Sequence, residues 1–136
     1  MATVSILRPR GTKNAWVWSN LDRYFMQEHP VEAGLSSHVC SLFKAGMLIQ
    51  DLHIDKVHIS LENAPGTDKD VTVTVSDGTT TMTITVSDAA VSGSTVTNNF
   101  DLDVSEKDLT IAMTTTAGTA TGCAIITVEY HEVTIT

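Results

Sequence analysis

Five histidines (His29, His38, His53, His58 and His131) and two cysteines (Cys40 and Cys123) are the side chains here best suited to hold a metal or move a proton. Their spacing gives little support to either use. His38 and Cys40 are two apart and share a strand face, but no second His/Cys pair stands at ligand spacing. His53 and His58 are five apart, which puts them on opposite faces of a regular strand, although a bulge between them would realign them. They are read as ordinary surface or rim histidines, and no metal is expected. The carboxylates read the same way. Asp101 and Asp103 share one strand face, and Asp51, Asp55, Asp68 and Asp70 lie near loops, without the spacing of a calcium loop that gathers about six to eight oxygens. For nucleophilic catalysis there are many Ser and Thr but no Gly-x-Ser-x-Gly, and there is no Gly-rich phosphate loop. No cofactor is expected, and the chain is read as non-enzymatic.

The elements that would carry these residues are strands. From Val71 to Val86, VTVTVSDGTTTMTITV, Val/Ile/Met alternates with Thr/Ser on either side of Asp77-Gly78. Period-two alternation around Asp-Gly predicts a hairpin with one apolar face, and a lone hairpin needs cover. Short alternating runs follow on both sides. His38–Phe43 puts Val39, Ser41 and Phe43 on one face and His38, Cys40 and Leu42 on the other. In residues 48–61, Leu48, Leu52 and Ile54 keep even register while Val57, Ile59 and Leu61 keep odd register, which predicts a bulge near Asp55-Lys56. Residues 88–94 read as a loop; Phe100–Val104, Leu109–Met113 and Ala124–Tyr130 read as strands, with a phase change before Val133. Roughly eight strands with short Thr/Gly/Asp connections predict an all-β fold, an antiparallel two-sheet sandwich with a jelly roll as the expected topology. Val73, Val75, Ile84, Val86, Leu102, Ile111, Ile126 and Val128 are its expected core. Nineteen of 21 threonines lie at Thr67 or later, which places the pleated, half-wet surfaces in that part of the chain.

The two cysteines are too few for a disulfide framework and are expected as buried, reduced thiols in strands. No apolar run approaches the roughly 18 residues of a membrane span, so no membrane contact is expected. MATVSILRPRG lacks the pattern of a secretory signal, so synthesis and residence in a cytoplasm are expected. The net charge of −8 is unevenly spread. Residues 1–27 hold four basic groups against one acidic, and the remainder holds four against fifteen. The acidic bulk repels nucleic acid, and no nucleic-acid partner is expected.

Residues 1–34 are the least regular stretch and are expected to form an arm with at most one short helix, over LDRYFMQEH, ahead of a sandwich domain at 35–136. Four of the seven aromatics (Trp16, Trp18, Tyr24, Phe25) fall there, beside Arg8, Arg10, Lys13 and Arg23. Such a set fits docking to a partner, capping of the sandwich's open end, or a sugar platform. Docking is the leading reading, because Trp, Tyr and Arg concentrate at interfaces. Arg8, Arg10, Lys13 and Arg23 would meet partner carboxylates, while Trp16, Trp18, Tyr24 and Phe25 supply anchors. On this reading, removing residues 1–34 leaves a folded domain.

The Thr-rich VTVTVSDGTTTMTITVSD hairpin and the DLTIAMTTTAGTATGCAIITVEY strand–turn–strand resemble tailed-phage virion β-sandwich proteins of the decoration, or cement, type. The resemblance covers residues 35–136 and is one of texture and strand order. It implies a structural protein on the capsid exterior, made in the host cytoplasm, bound to the major capsid protein lattice and commonly a homotrimer. It supplies no residue-level motif. A carbohydrate-binding or adhesin module is the alternative.

Overall fold

Val71, Val73 and Val75 pair with Val86, Ile84 and Met82, and all six are buried. On the other face, Thr72 and Thr85 hydroxyls lie 3.1 Å apart in a cross-strand hydrogen bond. The turn is longer than the two residues that Asp-Gly suggests. Ser76 pairs with Thr81, which leaves residues 77–80 outside the ladder. Asp77 Oδ1 accepts the amides of Thr79 and Thr80, and Gly78 alone in this turn takes a left-handed conformation, at φ +93°.

A computed structural model describes the backbone of residues 5–7, 14–18 and 23–135, with side chains from 24 to 135. It contains eleven strands and no helix among the described residues: β1 (Ser5–Leu7), β2 (Asn14–Trp18), β3 (Arg23–Val31), β4 (His38–Phe43), β5 (Leu52–Leu61), β6 (Gly66–Ser76), β7 (Thr81–Asp88), β8 (Ser92–Thr95), β9 (Phe100–Leu102), β10 (Leu109–Thr115) and β11 (Gly122–Glu132). They form two antiparallel sheets. The larger runs β1-β2-β3-β11-β5, with β8 and β9 both on the far edge of β5; the smaller runs β4-β10-β6-β7. From β3 onward, β3-β11-β5-β8/β9 over β4-β10-β6-β7 is the strand order of a jelly roll, with β8 and β9 sharing one position. The expected sandwich is therefore present, and all eight expected core residues are buried between the sheets.

The bulge on β5 lies where the register change places it. Lys56 pairs with Glu129 and Ile54 with Tyr130, which leaves Asp55 as the extra residue. That insertion keeps Leu52 and Ile54 on the same buried face as Val57, Ile59 and Leu61.

Four local readings change. The described part of LDRYFMQEH is not helical: residues 23–31 form β3, with Phe25, Gln27, His29 and Val31 buried at period two. β3 thus belongs to the large sheet, paired with β11. β4 carries an irregularity of its own, because Leu109 pairs with Phe43 but Thr110 with Ser41. The offset reverses the expected faces: Val39 is exposed, Phe43 is buried, and His38 and Cys40 share the face of their buried partners Met113 and Ile111. β11 holds one phase from Ala124 to Tyr130 and ends before Val133, whose amide bonds to Asp51 O.

The fourth change is β8, read from its Ser/Gly composition as loop. It pairs with β5 from Ser60 to Val57. A Cβ on Gly93 would lie 3.0 Å from Ile84 Cγ2 and 3.3 Å from Val86 Cγ2, so the missing side chain is what lets β8 lie against β7. Gly93→Val is expected to cost about 1–3 kcal/mol through overpacking, measured as a shift in the urea midpoint at unchanged slope.

Candidate functional site

At one side of the sandwich the edge strand of the small sheet, β4, faces β3 of the large sheet. The connection between them is held by the end of β10. Thr115 exchanges backbone and side-chain bonds with Leu35, and the Gly34 amide donates to Thr116 O. This closure brings His29, His38 and Cys40 together between the sheets. His29 Nε2 is 3.0 Å from His38 Nδ1, and Cys40 Sγ is 4.0 Å from that same His38 nitrogen. The imidazole rings meet edge to face at 4.9 Å. His29 is fully buried, Cys40 half-buried and His38 exposed, so the cluster runs from the core to the surface. The other nitrogen of His29, Nδ1, lies 2.8 Å from Pro30 O and donates to it, which directs the Nε2 lone pair toward His38. Burial lowers the His29 pKa below the ordinary 6.5, and His38 adds to the effect; the Pro30 carbonyl and Glu32 oppose it. Burial thus disfavours the charged form of the ring.

A second histidine group lies on the outer face of the large sheet. The bulge at Asp55 turns His53 and His58 to the same outer face, which a regular strand would not do. His53 Nδ1 is 2.7 Å from Asp101 Oδ1 and its Nε2 3.0 Å from Asn99 Oδ1. His131 Nδ1 is 2.8 Å from Asp55 Oδ2, and the two rings lie 5.0 Å apart. The acids are thus taken up by their own neighbours. Asp103 and Asp51 are similarly engaged. Asp103 accepts from the Ser105 hydroxyl and amide, which lowers its pKa, and Asp51 accepts from the Val104 amide. Asp101 and Asp103 do not form a joint site, since β9 ends at Leu102 and Asp103 turns the chain.

The eight residues assigned to docking are divided by the structure. Arg8, Arg10 and Lys13 lie outside the described residues, while Trp16, Trp18 and Arg23 are described in backbone only. Position 16 pairs with Leu7 on one side and Phe25 on the other; position 18 pairs with Ser5 and Arg23. Tyr24 is half-buried on the outer face of β3. Phe25 is not an anchor for a partner: it is 3% exposed and packs against Phe43 at 5.8 Å and Tyr130 at 5.6 Å.

Cys40 and Cys123 lie on different sheets and are not joined in a disulfide, but only Cys40 is drawn toward the interior; Cys123 is exposed, so the expectation of two buried thiols holds for neither in full. The His38-x-Cys40 pair was visible in the sequence. Its third member was not, because His29 belongs to a segment whose strand period is masked by Arg, Glu and Pro. The usable signal was the alternation Phe25, Gln27, His29, Val31 against Tyr24, Met26, Glu28, Pro30. No protein-family model matches the chain, and no curated protein matches it.

Proposed function

We propose that the chain is a non-enzymatic structural protein of the capsid-decoration type, docked on a capsid lattice through the strands that precede its jelly roll. One observation carries the reading. The large sheet continues through β2 and β1 past β3, whereas the small sheet ends at β4, opposite β3. Among the described residues no strand of the small sheet faces this extension. Cross-strand partners share a face, so positions 7, 16 and 18 fall on the face that Phe25 occupies. Leu, Trp and Trp at those positions match a partner that completes the missing layer. The acidic remainder would face outward and keep dense copies apart. Homotrimers on a repeating lattice would turn modest contacts into stable attachment through avidity. In this reading the protein is made in the host cytoplasm and resides on the virion exterior, without nucleic-acid or membrane contact.

The test is cosedimentation of the full chain with shells of the major capsid protein of the same virus. Trp16→Ala/Trp18→Ala is expected to weaken binding by about 100-fold or more, as loss of two hot-spot tryptophans does. Neutralising Asp101 and Asp103 should leave it unchanged. Absence of wild-type binding, or full binding by the double variant, overturns the docking surface.

A second reading rests on a different feature. Tyr24, Lys56, His58, Thr127 and Glu129 line a shallow depression of about 230 Å³ on the outer face of the large sheet. An aromatic face ringed by donors and acceptors suits a sugar. Glycan-array hits lost in Tyr24→Ala would favour a carbohydrate-binding module instead.

A further inference from the structure

We propose that His29, His38 and Cys40 form a three-ligand site for a borderline divalent transition ion, zinc above all, that clips β3 of the large sheet to β4 of the small one. The donor set selects the ion class. Two imidazoles and a thiolate suit zinc and its neighbours, whereas calcium and magnesium require oxygen ligands that are missing from this cluster.

The spacing fits. In a tetrahedral zinc site, with Zn–N about 2.0–2.1 Å and Zn–S about 2.3 Å, two nitrogens lie about 3.3 Å apart and nitrogen and sulfur about 3.6 Å apart. Here the two nitrogens are 3.0 Å apart, nitrogen and sulfur 4.0 Å, and all three ligand atoms fall within 4.8 Å of one another. Rotamer adjustments of a few tenths of an ångström place an ion between them. The most buried ligand is also the most constrained, since the Pro30 carbonyl fixes the His29 tautomer with Nε2 free to coordinate.

A further polar group of the same strand face is left without a partner. Gln27 lies two residues before His29 on the same strand face, is 9% exposed, and its Oε1 has no hydrogen-bond partner among the described residues. An ion held by three protein ligands keeps a fourth position for water. The exposed side of His38 leaves that fourth position open to solvent. On binding, the Cys40 thiol gives up its proton, the His38 proton moves from Nδ1 to Nε2, and one proton is released per ion.

The experiment uses the full, reduced chain, titrated with Co²⁺ and followed by absorption, then with Zn²⁺ in competition. The expected result is one ion per chain, a thiolate-to-cobalt charge-transfer band with tetrahedral d–d bands, and displacement by zinc. Cys40→Ser is expected to abolish the charge-transfer band, and His38→Gln to weaken zinc by more than about 100-fold, beyond what outer partners of a site contribute. Both positions are on an edge strand and not fully buried, so thermal melts of the metal-free variants should match the wild type. Cys123→Ser is expected to keep the band. No charge-transfer band in the wild type, or a band that survives Cys40→Ser and vanishes in Cys123→Ser, overturns the site.

Discussion

Removing residues 1–34 is expected to unfold the domain, while removing residues 1–22 leaves it folded. The difference is β3, which sits between β2 and β11 and forms eight residue pairs with β11, from Val31–Gly122 to Tyr24–Glu129. Its loss strips Phe25, His29 and Val31 from the core and leaves one side of β11 without hydrogen-bond partners. Burial of Phe25 and Val31 alone is worth several kcal/mol, a large share of the roughly 5–15 kcal/mol of a domain this size. Near-UV circular dichroism and thermal melts of the two truncations decide the matter. A cooperative transition in the longer truncation would show that β3 is dispensable. Loss of folding in the shorter one would show that the first 22 residues belong to the core.

Tyr24 and Phe25 are neighbours in the chain with opposite expected effects. Phe25→Ala should cost about 3–5 kcal/mol, because the ring is packed between Phe43 and Tyr130 at the junction of the two sheets. Tyr24→Ala should cost about 1 kcal/mol or less, since its side chain lies on the outer face and is only partly covered. Chemical denaturation of the two variants measures both. Equal losses would mean that Phe25 is not the inward residue of the strand.

The sequence was most legible where one face is apolar without exception. Val71–Val86 and Ala124–Val128 fix their own register, because a slip of one residue would bury threonine. The bulge on β5 was legible for the same reason, as a change of parity between Ile54 and Val57. β3 was not, because its inward face mixes Phe25 and Val31 with Gln27 and His29, and those polar residues break the apolar count. β8 was not, because its contribution is the absence of a side chain at Gly93. The histidine–cysteine cluster depends on both failures of pattern at the β3–β4 junction: a buried histidine on a strand that read as an arm, and an offset in β4 that turns His38 and Cys40 inward. Polar inward residues leave no periodic trace, and the offset in β4 leaves none because the residues that it turns, His38 and Cys40, do not stand out as an apolar face.

The position of β11 has a consequence for the order in which the molecule can be assembled during synthesis. Of the strands described it is made after all the others, yet it lies between β3 and β5, near the middle of the large sheet. Until residues 122–132 emerge, β3 and β5 have no common neighbour, and each presents an open ladder edge. The small sheet can close once β10 is out, because β4, β6 and β7 all precede it. The nascent chain therefore passes through a stage with one finished sheet and one divided sheet, its apolar faces uncovered. Closing the gap joins segments about a hundred residues apart, which places folding of this chain among the slow, non-local β topologies of the millisecond-to-second range. The large sheet completes itself only after translation has passed β11, and the vulnerability to self-association is concentrated in that interval.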